Sequence, residues 1–178
     1  MKLTLRLRIL LTGIVTLLVW SHVAWDYFHG GVPTHYLLHD SRLPGISNWW
    51  GAAILPFFTW FLLYRIHKRI DLREMSVATE SLSKIVIRFL AAVLVAVAIA
   101  VCFMNDIEVT DYIMGSLFIL AFFFPLYKSE YLLGWVLGAA FTFGAIIPMG
   151  FGSLLALIFF IFYQLGKTLF GFFRSKTK

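Results

Sequence analysis

Six runs of mainly apolar residues follow one another along this 178-residue chain, near residues 9–28, 48–65, 86–104, 111–127, 131–147 and 152–172. Each is close to the roughly 20 residues that a helix needs to cross the hydrocarbon core of a bilayer. A backbone in lipid has no water to bond, so a spanning segment must satisfy its own amides and carbonyls, as a helix does. Hydrophobic residues make up 61% of the chain and charged ones 13%, more apolar surface than a soluble core of this size can bury. The sequence therefore predicts an all-α polytopic membrane protein, a bundle of about six transmembrane helices, in which residues 1–178 form a single transmembrane helical domain. Its first partner is the lipid bilayer.

Basic residues set the expected orientation. With the N-terminus inside, Lys2, Arg6, Arg8, Arg65, Lys68, Arg69, Arg73, Lys84, Arg88, Lys128, Lys167, Arg174, Lys176 and Lys178 fall on the cytoplasmic side, and Arg42 alone falls outside. Fourteen of fifteen thus agree with two cytoplasmic termini, because positive charge is retained inside. Merging the fourth and fifth runs would carry the basic C-terminal tail outside, against that rule. The same placement accounts for the net charge of +6 without a nucleic-acid partner. The expected location is a bacterial inner (plasma) membrane. The basic start resembles a signal peptide, but bulky His22 stands two residues before Ala24, so no cleavage pattern follows and the first run is expected to remain a spanning helix. Cys102 is the single cysteine, which excludes an internal disulfide.

Local chemistry marks the ends of the segments. Gly30, Gly31 and Pro33 stop the first helix, Ser47 or Asn48 can cap the second, Asn105 and Asp106 close the third, and Thr110 or Asp111 can cap the fourth. Pro56 and Pro125 fall inside predicted spans and should bend them. Gly134 and Gly138, four residues apart, permit the close approach of a partner helix. The charged connector 66–85 reads as a solvated segment, drawn to anionic lipid and able to form a short surface helix.

Four of the five histidines and five of the nine carboxylates fall on the expected outer side. His22, Asp26 and His29 share a wedge of about 60° on a 3.6-residue helix. Imidazole and carboxylate together suit zinc and other divalent transition metals. His22, Asp26 and His29 are therefore candidate metal ligands, and His35 and His39 from the following loop can complete the shell. Asp26 and Asp106 are the candidate catalytic carboxylates. His22 lies about two turns inside the helix end, where an ionisable group is costly and faces a bundle interior or a wet cavity. The wedge is accordingly expected to face inward, with Trp20 and Val23 directed elsewhere. Blander roles stand beside these: an aromatic belt of Trp25, Tyr27, Trp49 and Trp50, and solvated loop positions for His35 and His39. Asp106, Glu108 and Asp111 likewise suit a turn, plain solvation and a helix N-terminus.

Zincin, serine-hydrolase and nucleotide-binding motifs are absent. Three functions stay open. A metal-dependent hydrolase would lower the pKa of a bound water towards about 7 while Asp26 or Asp106 moves its proton, and the tryptophan-rich mouth would receive a lipid-like or membrane-associated substrate. A non-catalytic membrane subunit or assembly factor needs little more than packing faces such as the Gly134 and Gly138 pair. An ion or proton transporter needs polar residues through the membrane, and the last four spans offer few beyond Ser116, Thr142 and Gln164.

Overall fold

The computed structural model describes residues 3–36, 40, 42, 44–74 and 82–176, with residues 71–74, 170, 171 and 173–176 described by their backbone alone. The helices are α1 (Leu5–Phe28), α2 (Asn48–Glu74), α3 (Leu82–Met104), α4 (Thr110–Phe123), α5 (Ser129–Phe143) and α6 (Ile146–Lys176). One element departs from the all-helical expectation. Between α1 and α2, β1 (Thr34–Tyr36) and β2 (Gly45–Ser47) form an antiparallel hairpin, with His35 opposite Ile46.

Several helix ends fall where local chemistry dictates. Thr4 caps α1 by accepting a hydrogen bond from the Leu7 amide at 3.3 Å, and Ser47 Oγ accepts from the Trp49 amide at the start of α2 at 3.5 Å. Neither Thr110 nor Asp111 caps α4: Val109 holds that position with no side-chain bond, and Thr110 is already helical. α2 runs on to Glu74, nine residues past its expected end at residue 65, because Arg65–Ile70 continue its buried stripe at Ile66 and Ile70.

Pro125 does not bend a span. It lies in the turn after α4, and Phe124 before it is extended at φ −118° and ψ 141°, as the proline ring requires of its predecessor. Gly144, at φ +68°, likewise ends α5 earlier than its expected end at residue 147. Pro56 does lie within α2.

α1, α3 and the Ile146–Leu169 part of α6 are long and apolar enough to cross a membrane. Their 23 or 24 residues reach about 35 Å at 1.5 Å each, against a hydrocarbon core of about 30 Å. α4 and α5, with 14 and 15 residues, reach only about 21 and 22 Å.

Contacts fix the relative directions of the helices. α1 and α2 are antiparallel, with Trp20 beside Trp49 at one end and Arg8 over Trp60 at the other. α3 and α5 are parallel, Gly134 lying against Phe89 and Ala92, and Gly138 against Val93 and Ala96. α4 and α6 are parallel through Phe118 on Phe159 and Phe122 on Phe162. α5 opposes α6 where Trp135 meets Gly152, and opposes α2 where Ala145 meets Gly51. Direction thus alternates along the chain, and the N-terminus of α1 shares an end of the bundle with the C-terminus of α6.

Leu62, Val136, Ala52 and Ala121 are buried at its centre, while Leu17, Phe57 and Leu94 are among the many large apolar side chains left outside. So much exposed apolar surface suits hydrocarbon and not water. The architecture is that of a helical membrane protein.

Candidate functional site at the end of α1

The way α1 ends decides which of its polar residues meet. Gly30 and Gly31 take φ of +118° and +100°, which glycine adopts without a Cβ penalty. The amides of His29 and Gly31 both donate to the Asp26 carbonyl, at 3.1 and 2.9 Å. The chain therefore leaves the helix after Phe28 and turns into the hairpin.

Within the last two turns, His22 Nε2 and Asp26 Oδ2 stand 3.7 Å apart, with side chains 27% and 16% exposed. Their spacing of four residues places them on one face. The His22 ring rests against Phe141 of α5, with centroids 4.7 Å apart. Asp26 Oδ2 is shielded from solvent and accepts no hydrogen bond among the described residues. A small rotation brings an imidazole N–H of His22 into bonding range, so the pair can share a proton.

His22 also lines a cavity of 190 Å³ between α1, α2 and α5, together with Val19, Asn48, Leu55 and Phe141. Asn48 is the other polar group in that lining. It is 6% exposed, and its amide donates to the Pro33 carbonyl at 3.1 Å. From its sequence context Asn48 is a candidate helix cap, and nothing in a single asparagine before two tryptophans announces a cavity wall.

The remaining candidates lie apart from the pair. His29 is exposed, stacks on Trp25 with centroids 3.7 Å apart, and keeps Nδ1 2.9 Å from the Trp25 carbonyl. His35, in β1, packs against Gly144 and shares a crevice with Asn48 at the junction of α5 and α6. Asp106 is exposed at φ +53° in the turn after α3, and α1 packs chiefly on α2. His39 lies outside the described residues. Among the described residues, no three His, Cys, Asp or Glu side chains gather as a metal shell would require. Asp40, in the hairpin loop, is held below the usual carboxylate range by the Arg42 guanidinium, which donates to both its oxygens.

Val23 faces inward at 1% exposure, against the expectation from sequence that it points elsewhere. Burying a valine removes apolar surface from solvent at no polar cost, whereas full burial of His22 or Asp26 demands a complete set of partners. The two ionisable residues therefore flank the buried seam.

A second polar cluster lies at the opposite end of the bundle. Glu130, in the first turn of α5, is 0% exposed. It accepts from Arg69 of α2 at 2.7 Å and from Arg88 of α3 at 3.3 Å. One carboxylate thereby ties three helices together. Its signal in the sequence was Arg88, an ionisable residue at the start of an apolar run, which needs a partner.

These features define a helical protein of membrane type with ionisable clusters at both ends of its bundle. No protein-family model, curated protein or solved structure matches the chain.

Proposed function

We propose that the chain is a six-span protein of a bacterial inner membrane with both termini cytoplasmic. On its outer side, His22 and Asp26 act as a proton-handling pair at a cavity that takes a lipid-like or membrane-associated substrate. The observation that carries this reading is the 3.7 Å separation of His22 and Asp26 beside a cavity whose lining is otherwise apolar except for Asn48. An apolar chain fits such walls, and a polar group at its end meets the imidazole. His22 takes the proton of a water or hydroxyl there, and Asp26 stabilises the resulting imidazolium.

The alternating helix directions support the topology, since they gather Arg6, Arg65, Lys84, Lys128 and Lys167 at the end that holds both termini. α4 and α5 cross as a short hairpin packed on α3 and α6, so that their irregular turn is screened by protein.

In the alternative form of the proposal, in which the pair binds a metal and does not itself take the proton, the enzyme is a metal-dependent hydrolase. Two ligands of a tetrahedral zinc stand about 3.3 Å apart, near the observed spacing of His22 Nε2 and Asp26 Oδ2. A third protein ligand is then needed, and His39 is the candidate left to supply it. When bound, zinc would supply a hydroxide nucleophile near neutral pH.

Elemental analysis of full-length protein, purified in mild detergent without chelator, tests this directly. One transition metal per chain is expected, with His22→Gln and Asp26→Asn each losing it while still inserting. A metal-free wild type removes the hydrolase form. If His22→Gln then alters stability alone, the non-catalytic subunit becomes the better reading, because the pair would be a packing feature of α1 against α5.

A further inference from the structure

A cavity of 360 Å³ lies between α2, α6 and the start of α5, at the end of the bundle opposite His22. Phe58, Leu62 and Leu157 give it apolar walls, and Arg65, Ser129 and Ser153 line it with polar groups. Arg65, Ser153 and Leu157 are exposed, so the cavity opens sideways from the bundle.

Two independent features of this cavity point to an anion. The first is the helix end. Ser129 begins α5, a 15-residue helix whose N-cap residue makes no side-chain capping bond. Lys128 O takes the amides of Tyr131 and Leu132, and those of Ser129 and Glu130 donate to no backbone carbonyl among the described residues. Free amides at the positive end of a helix dipole attract negative charge. The second is Ser129 itself. The residue is 7% exposed, lines the cavity, and its hydroxyl bonds no other side chain or carbonyl among the described residues. The hydroxyl faces the cavity and is open to a hydrogen bond with an anion there.

The surrounding charge agrees in sign. Arg65 lies over Phe61 at 5.9 Å and pairs with no carboxylate among the described residues. Glu130, the neighbouring anion, is already held by Arg69 and Arg88. Lys167 adds a cation further along α6, over Tyr163, whose ring meets the cavity-lining Tyr127.

We propose that this cavity holds the phosphate of an anionic phospholipid. Arg65 and the Ser129 hydroxyl bind its oxygens, and Phe58, Leu62 and Leu157 take the first methylenes of an acyl chain. A free phosphate would share the polar contacts. The apolar walls and the sideways opening favour the lipid, whose chain can stay in the bilayer while its headgroup enters.

The test uses full-length protein in detergent micelles and spin-labelled phosphatidylglycerol, with spin-labelled phosphatidylcholine as the zwitterionic comparison. Wild-type protein should immobilise phosphatidylglycerol about fivefold more tightly than phosphatidylcholine, the preference that one interfacial arginine confers. Arg65→Gln should erase this preference, and Ser129→Ala should weaken phosphatidylglycerol about threefold by removing one hydrogen bond. Ser153→Phe, which fills the opening, should displace both lipids, whereas Arg42→Gln at the other end of the bundle should change nothing.

Equal binding of the two lipids by wild type overturns the proposal. So does a preference that survives Arg65→Gln. If Arg65→Gln does not fold, wild-type binding by both Ser129→Ala and Ser153→Phe overturns it equally. Complete displacement of the lipid by millimolar inorganic phosphate would assign the site to a soluble anion and reject the lipid.

Discussion

Glu130 is the residue with the least freedom in this protein, a fully buried carboxylate between two guanidinium groups. Its desolvation is tolerated because both oxygens are occupied, by Arg69 and by Arg88. Glu130→Gln would leave two cations facing one another near the N-terminal end of α5. Breaking a buried pair by removing one partner costs about 3–5 kcal/mol, and the lower end applies because the arginines are still partly exposed and can turn towards water. We expect a thermal transition well below wild type in detergent, and a Glu130→Gln protein that melts with the wild type would rule out a structural role for the cluster. At this scale the site at the end of α1 was partly legible. The four-residue spacing of His22 and Asp26 announces a pair on any helix. The position of His29 was not legible, because Trp25, four residues earlier, offers it a stacking surface and a carbonyl that compete with any shared site.

Helix ends and helix faces obey different rules, and the two were read with different success. Ends set by Gly30 and Asn105 follow from local chemistry, since each places a cap or a left-handed residue where the chain must turn. The ends of α4 and α5 were read too long, because Pro125 and Gly144 stand inside apolar runs whose hydropathy does not change at the break. The hairpin escaped notice for a similar reason: three residues on each strand carry no measurable alternation. Its close packing is nevertheless specific, since a Cβ at Gly45 would lie 2.6 Å from Thr34 Cγ2. Gly134 and Gly138 are used within the chain, where they admit α3 to the α5 backbone. A Cβ at Gly138 would approach Ala96 Cβ at 2.8 Å and Val93 O at 2.9 Å. Gly138→Leu should therefore force α3 and α5 apart at a cost of about 1–3 kcal/mol or more. The check is thermal melting in detergent beside Gly13→Leu, which has open space around it and should melt with the wild type.

The whole molecule must reconcile alternating helices with a membrane whose two sides differ. Under the proposed topology, Glu108 in the turn after α3 is outside and Lys68 near the end of α2 is inside. In a Cys102→Ser background, Glu108→Cys should react with an impermeant maleimide added to intact cells, and Lys68→Cys should react only after permeabilisation. Labelling of both from one side would reject six spans. The sequence alone determined the class of this protein and the number of its helices, because hydropathy acts residue by residue and needs no neighbours from elsewhere in the chain. It also placed His22 and Asp26 together, since one helix turn brings them there. Tertiary structure alone decided that Glu130 meets Arg69 and Arg88, that Asn48 joins His22 at a cavity, and that Ser129 opens on a space beside Arg65. Those contacts join residues on different helices, and their formation depends on crossing angles and close-packed faces that no local pattern encodes.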